Sequence, residues 1–208
     1  MNIQIAIDRV SIQQAIQIIE QVREFADIIE IGTSLIKEYG VASVAQIRKK
    51  FPNLTLLADI KTIDQAEYEF RMVFEAGADI ATVMGMSATR SIEICQKVSQ
   101  ELNKGYMIDL LEVSEDKLEV LKKFDDAYFG IHLPTDQTEG SIESLVKKLA
   151  SKLPQGCKIA AAGGIRLDQI PRLAEYGVKV AIVGGAITKA SDIKEAAKTF
   201  YDEKERLS

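Results

Sequence analysis

Eight apolar strand patterns, each followed by a helical pattern, divide the 208 residues into units of 26. The strands are continuous apolar runs, as in a parallel sheet covered on both faces. Polar residues and glycines gather at their C-terminal ends. Together these features predict an α/β chain folded as a compact (β/α)8 TIM barrel, a single domain over residues 1–208. A doubly wound open sheet is the rival. It usually has fewer strands and does not predict polar groups at so many strand ends.

The elements can be taken in order. Residues 3–7 form an apolar run ending at Asp8, and Ser11 with Gln14 then has capping-box spacing. Ile12, Ala15, Ile16 and Ile19 recur at helical period behind it. Strand 28–31 carries Glu30 and closes at Gly32, and a helix pattern runs from 34 to about 50. Pro52 and Asn53 separate that helix from strand 54–60. A helix over about 64–76 stops at Gly77, the place of a C-terminal glycine. Strand 79–83 ends at Gly85, helix 87–102 follows, and strand 106–109 ends on Asp109. Helix 115–123, strand 127–131 with His132 immediately after it, and a helix near 141–152 continue the alternation. Strand 158–162 leads into Gly163 and Gly164, then a helix near 167–176 with Pro171 in or near its first turn. Strand 180–183 leads into Gly184 and Gly185, and a last helix covers 192–206. No linker or low-complexity stretch interrupts the rhythm.

Composition narrows the function classes. With 47% hydrophobic and 27% charged residues the chain reads as a soluble globular protein. A net charge of −5 and the lack of any basic run argue against nonspecific nucleic-acid binding. Cys95 and Cys157 are isolated, with no His nearby, which indicates neither a zinc site nor a disulfide framework. Free buried thiols, no basic leader segment and no run apolar enough to span a bilayer give a cytoplasmic expectation with no membrane partner.

The stretch around Asp59 organises the rest. In a strand, side chains alternate faces, so Asp59 and Lys61 point the same way, with Asp64 three residues on where a helix pattern begins. The bland reading is an ion pair plus a helix cap, since Asp64 and Glu67 have capping-box spacing. A barrel, however, brings all its strand ends to one face. There Asp8, Glu30, Asp59 with Lys61, Asp109 and His132 would converge. Asp8 could instead form a turn, and Asp109 could cap the following helix. Glu30 sits inside an apolar strand, where burial without a metal or lysine partner is costly. His132 is the only histidine, and its place among carboxylates favours proton transfer over a structural role.

Two Gly-Gly pairs, Gly163-Gly164 and Gly184-Gly185, follow strands seven and eight, where barrels commonly hold phosphate against backbone N–H groups. Tight turns alone would explain one glycine in each better than two. Glu30 and Asp59 are hard oxygen ligands with no thiolate or second histidine at hand, a set that suits Mg²⁺. Such an ion, with Lys61 adding positive charge and His132 moving a proton, would serve an enediolate. The residues therefore point to carbanion chemistry on a small sugar phosphate, without naming the sugar.

Asp59-x-Lys61-x-x-Asp64, with Asp8, Glu30, Asp109, His132 and both Gly-Gly turns in matching order, resembles the orotidine 5′-monophosphate decarboxylase suprafamily over nearly the whole chain. Glu30 and His132 are similar to its Mg²⁺-dependent branch. The resemblance implies that Glu30 and Asp59 bind Mg²⁺ and that Asp8, Lys61 and Asp64 surround the substrate. It also implies a homodimer in which Asp64 reaches the partner chain's site. Members of the branch that decarboxylate 3-keto-L-gulonate 6-phosphate carry Glu, Arg, Thr and Arg where this chain has Asp109, Thr135, Ala162 and Gly185. By that contrast the chain is similar to members that condense formaldehyde with D-ribulose 5-phosphate. His132 would then take the C1 proton and Asp109 would position water or a hydroxyl. Pro134 departs from the Gly usual there, which bears on the path of the loop through Asp136 and Gln137. The decarboxylation is the nearest alternative. A non-catalytic sugar-phosphate sensor is another, although a sensor has no need to keep Lys61 and His132 together.

Overall fold

A computed structural model of the chain describes residues 1–134, 136, 140–154 and 156–207. Eight parallel strands pair in chain order and close on themselves. They are β1 (Asn2–Ile7), β2 (Ile28–Ile31), β3 (Leu56–Thr62), β4 (Ile80–Met84), β5 (Gly105–Asp109), β6 (Tyr128–His132), β7 (Lys158–Ala162) and β8 (Val178–Val183). The last strand returns to the first, with Asn2 beside Val180 and Ile5 beside Val183. The open-sheet alternative is thereby excluded.

Strand alternation sorts the residues into two apolar bodies. Outward-facing side chains such as Ile5, Ile29, Ala58, Val83, Ile108 and Phe129 join the helices in one large core. Inward-facing Ile28, Leu57, Ile80, Met107, Ala160 and Val180 form a second, smaller cluster inside the barrel. Two residues further along four of those strands the inward series turns polar. Ile28 is followed by Glu30, Leu57 by Asp59, Ile80 by Thr82 and Met107 by Asp109. A two-residue period puts each polar group directly above an apolar one, so the barrel has a dry floor and a charged layer over it.

The helices form where their start signals predict, with instructive differences. α1 (Ile12–Val22) begins on the capping box of Ser11 and Gln14. The helix expected over 34–50 divides into α2 (Thr33–Tyr39) and α3 (Ala42–Lys50), because Gly40 takes a left-handed φ of 64°. α4 (Ala66–Glu75) starts at Gln65, itself at φ 54°, and no side chain caps it. The expected Asp64–Glu67 capping box is therefore not formed, and Glu67 pairs with Arg71 one turn on instead, at 3.1 Å. α5 (Thr89–Glu101), α6 (Glu115–Leu121), α7 (Ile142–Ala150), α8 (Ile170–Glu175) and α10 (Ile193–Arg206) complete the outer ring. Between β8 and α10 lies a one-turn helix the periodicity does not reveal, α9 (Gly185–Thr188). Four residues are too few to show a period. Among the described residues no helix is long and apolar enough to cross a membrane.

At the opposite end of the barrel from the charged layer, Asp79 ties three elements together. Its carboxylate accepts hydrogen bonds from Arg48 Nη2, from Lys104 Nζ at 2.7 Å and from the Leu56 N–H at 3.0 Å. Partial burial works to raise its pKa, but these donors and the two cations win and hold it below the ordinary 3.8. A depressed carboxylate contributes stability that is present above its unfolded pKa and is lost as pH falls through the folded one. Asp79→Asn should therefore cost about 1–2 kcal/mol in urea unfolding near neutral pH. The gap from the parent protein should close on acidification below the ordinary carboxylate range. A pH-independent gap would assign the cost to packing.

Candidate active site

The charged layer forms the base of a cavity of about 540 Å³ at the C-terminal ends of the strands. Every residue singled out at a strand end lines it except Asp64. Its centre is the Lys61 ammonium. Nζ lies 2.7 Å from Asp109 Oδ2, and 3.2 and 3.1 Å from the two oxygens of Asp59. Burial of Lys61 opposes its charge, but the two carboxylates more than compensate and its pKa is raised. Lys61 is a fixed cation at neutral pH, suited to holding negative charge and unsuited to acting as a base.

The backbone reaches this arrangement by an irregular route. Alternation predicts that Asp59 and Lys61 share a face, and they do. Lys61, however, sits at a left-handed φ of 49°, and the β3–β4 register shifts between Ala58 and Thr62. The Lys61 N–H donates to Thr82 Oγ1 at 2.9 Å, which anchors the distorted segment. A non-glycine residue held there costs on the order of 1 kcal/mol or more, and such strain gathers where a side chain must be aimed.

Each carboxylate has its own partners. Asp59, 9% exposed, accepts from Thr33 Oγ1 at 2.5 Å and Thr82 Oγ1 at 2.8 Å. Asp109 accepts from the Leu111 N–H at 2.9 Å through one oxygen, while the other lies between Lys61 and His132 Nδ1, 3.3 Å away. Burial opposes its ionisation, yet His132 and Lys61 draw its pKa down to about 2. The next helix is capped by Ser114, so Asp109 does not serve as a helix cap. With Nδ1 turned to Asp109, His132 has Nε2 left for a bound molecule.

Glu30 is different. It is 8% exposed and among the described residues accepts one hydrogen bond, from Gln4 Nε2 at 2.5 Å. Burying a carboxylate costs several kcal/mol. A single hydrogen bond to a charged group returns about 1.5–3 kcal/mol. The deficit shows, since burial and then the Asp59 charge push Glu30 up to about 8. A divalent cation between the two carboxylates would remove that deficit, so the residues fit a hard ion such as Mg²⁺. Among the described residues no three Asp, Glu, His or Cys side chains form a ligand cluster.

Asp8 holds the entrance between β1 and α2. Its Oδ1 accepts from the N–H groups of Ser34 at 3.0 Å and Leu35 at 3.3 Å, and from the Ser34 hydroxyl. This carboxylate therefore caps α2, while its position still faces the cavity. Gly32 makes this possible, because a Cβ there would lie 2.7 Å from Asp8 Cγ.

The two glycine pairs are unlike. Gly163 and Gly164 have φ of 111° and 68°, and a Cβ on Gly163 would meet the Leu133 carbonyl at 2.5 Å. Gly184 and Gly185 are outside the left-handed region, and a Cβ on either would make ordinary contacts of 3.6 Å or more. The cavity is also lined by three cations that sequence reasoning passed over, Arg9, Arg166 and Lys189. Gln4, Thr33 and Thr82 were also missed. A glutamine inside the apolar run 3–7 and a threonine inside strand four were the available signals. Asp64 is exposed and outside the cavity. Asp136 is exposed in a turn, and Thr135 and Gln137 lie outside the described residues.

Comparison with known proteins agrees with this geometry. The model of the orotidine 5′-phosphate decarboxylase / HUMPS family matches residues 1–200. A Bacillus subtilis protein, 3-hexulose-6-phosphate synthase, is 34% identical over 202 residues, covering 95% of each chain. The crystal structure of 3-hexulose-6-phosphate synthase from Salmonella typhimurium superposes with a TM-score of 0.93 at 30% identity, covering 100% of both chains. That of 3-keto-L-gulonate-6-phosphate decarboxylase from Vibrio cholerae gives 0.85 at 26% identity, covering 100% of this chain and 98% of that one. Its strand-end residues, its closed barrel and this full-length match make the chain a member of the orotidine 5′-phosphate decarboxylase / HUMPS family.

Proposed function

We propose that the chain is a Mg²⁺-dependent 3-hexulose-6-phosphate synthase, a carbon–carbon lyase condensing formaldehyde with D-ribulose 5-phosphate. The product is D-arabino-3-hexulose 6-phosphate. The observation that carries this reading is the Lys61 ammonium bridging Asp59 and Asp109, with His132 on the same Asp109 oxygen. A permanent cation and an oriented imidazole in one cavity are what proton removal next to a carbonyl requires.

Glu30 and Asp59 would hold Mg²⁺, which when bound supplies Lewis-acid stabilisation of negative charge on the sugar. His132 Nε2 takes the proton from C1 of ribulose 5-phosphate. Asp109 holds the imidazole in place through Nδ1. Lys61 stabilises the charge of the enediolate. C1 then attacks the formaldehyde carbon, forming the new C–C bond, and the resulting alkoxide takes up a proton. The backbone of Gly163, Gly164, Gly184 and Gly185 receives the phosphate. Asp109, Ala162 and Gly185 stand where the decarboxylating relatives carry larger or cationic groups, which supports the aldol reaction over decarboxylation. The fourth such position, Thr135, lies outside the described residues.

The chain acts as a homodimer in this reading, with Asp64 completing the partner's site. Asp64 is exposed and outside its own cavity, and Ile63 beside it, Tyr68 in the first turn of α4 and Met86 after β4 are exposed at 50%, 69% and 56%. Exposed large apolar side chains, with a carboxylate that has no hydrogen bond or ion pair among the described residues, suit a protein interface.

Formaldehyde consumption with ribulose 5-phosphate should be rapid with Mg²⁺ and abolished by EDTA, with little CO₂ released from 3-keto-L-gulonate 6-phosphate. Dominant CO₂ release would establish the decarboxylase instead, and saturable ligand binding without turnover in either assay would establish the sensor. His132→Ala should lower turnover by about 10²–10⁴-fold and stop solvent exchange of the C1 proton. Full exchange in that variant would place the base elsewhere. Mixing Asp64→Ala with His132→Ala chains should restore up to about a quarter of parental activity, since half the dimers would carry one intact site. No recovery after verified subunit exchange would confine each site to one chain.

A further inference from the structure

The cavity is polarised. Glu30, Asp59 and Asp109 lie buried in its floor, whereas Arg9, Arg166 and Lys189 line it as exposed cations, with Asp8 also exposed. The three are not equivalent. Arg166 is engaged by Asp168 through two bonds, Nε to Oδ1 at 3.0 Å and Nη2 to Oδ2 at 2.9 Å. The Lys189 ammonium and the Arg9 guanidinium have no hydrogen bond or ion pair among the described residues, and Lys189 is the one packed beside Gly185.

Lys189 also has a backbone reason to face inward. Its N–H donates to the Gly185 carbonyl at 3.1 Å, so residues 185 and 189 lie one helical turn apart on the same side of α9. Side chains on a helix lean towards its N-terminus, which lays the Lys189 stem back over residue 185. The contact is direct, because a Cβ built on Gly185 would lie 3.6 Å from Lys189 Cδ. Glycine at 185 thus leaves open the lane along which the lysine reaches the cavity, and both residues line it.

We infer that Lys189 is the side-chain cation that binds the phosphate of the sugar substrate, complementing the uncharged glycine turns and placed over Gly185 by the single turn of α9. This rests on the proposed reading of the cavity as a sugar-phosphate site and adds to it the residue that recognises the dianion. The turns at 163–164 and 184–185 contribute no charge of their own, and Asp8, Glu30, Asp59 and Asp109 at the same cavity repel a phosphate. A free ammonium at this edge offsets that repulsion and fixes which end of the sugar faces the glycines.

The test compares Lys189→Met, which keeps the stem and removes the charge, with Lys189→Arg and Arg166→Met. Calorimetric titration uses inorganic phosphate and ribulose 5-phosphate as separate probes in the presence of Mg²⁺. Lys189→Met should weaken both on the order of 10- to 100-fold. It should raise KM for ribulose 5-phosphate in the same proportion, with kcat, KM for formaldehyde and thermal midpoint little changed. Lys189→Arg should bind within a few-fold of the parent, and Arg166→Met should lose less than Lys189→Met. Unchanged phosphate affinity in Lys189→Met overturns the inference, as does a larger loss in Arg166→Met or failure of the parent protein to bind either probe. Loss of both ligands from Lys189→Met supports it whichever reaction the cavity catalyses. Normal formaldehyde turnover with an unchanged sugar-phosphate KM sinks the inference alone.

Discussion

One ammonium group between two carboxylates sets the conditions for everything else in this barrel. Lys61 is fixed in charge because Asp59 and Asp109 flank it, and Asp109 is kept ionised partly because Lys61 is there. The arrangement depends on a kink at the end of β3 that turns the lysine inward over the apolar floor. It also divides labour, since a permanently charged lysine cannot accept a proton, whereas the imidazole of His132 beside it is a group that can. Asp109 serves both, with one oxygen shared between ammonium and imidazole. The three side chains behave as a unit, and their individual contributions are not separable by single substitutions.

Charge accounting across the cavity explains why Glu30 stands apart. Asp59 has a lysine and two hydroxyl groups, and Asp109 has a lysine, an imidazole and a backbone amide. Among the described residues Glu30 has an amide side chain alone. The imbalance is confined to one position, so the demand for a further cation is local. At the rim the imbalance reverses, with cations facing an open mouth. A ligand anionic at one end and rich in oxygen at the other is matched by this gradient.

Much of this was legible in the sequence, for physical reasons that also mark the limits. Continuous apolar strands report a sheet covered on both sides, and the polar residue after each run reports which end of the strand meets solvent. These two signals placed Asp8, Glu30, Asp59, Asp109 and His132 correctly at one cavity. Backbone strain left no such mark. Nothing in the letters announces that Lys61 and Gln65 adopt left-handed angles, so the expected cap at Asp64 did not form. A one-turn helix is likewise too short to reveal itself by period, and α9 with Lys189 went unseen. Gln4, Thr33 and Thr82 were hidden differently, since uncharged polar residues in apolar runs draw little notice until a carboxylate is found beside them.

The contrast between the two glycine turns has a consequence for how such a site can change over time. At Gly163 the Leu133 carbonyl fills the space where any side chain would begin. Drift at that position is therefore blocked unless the connection after β6, which starts at Leu133, moves with it. At Gly185 the backbone is unstrained and the space beyond is taken only by a flexible methylene chain. One turn is frozen and the other is free to explore. New substrate preferences in this barrel would thus be acquired after β8, through the pair at 185 and 189, while the turn after β7 stays as the inherited fixed point.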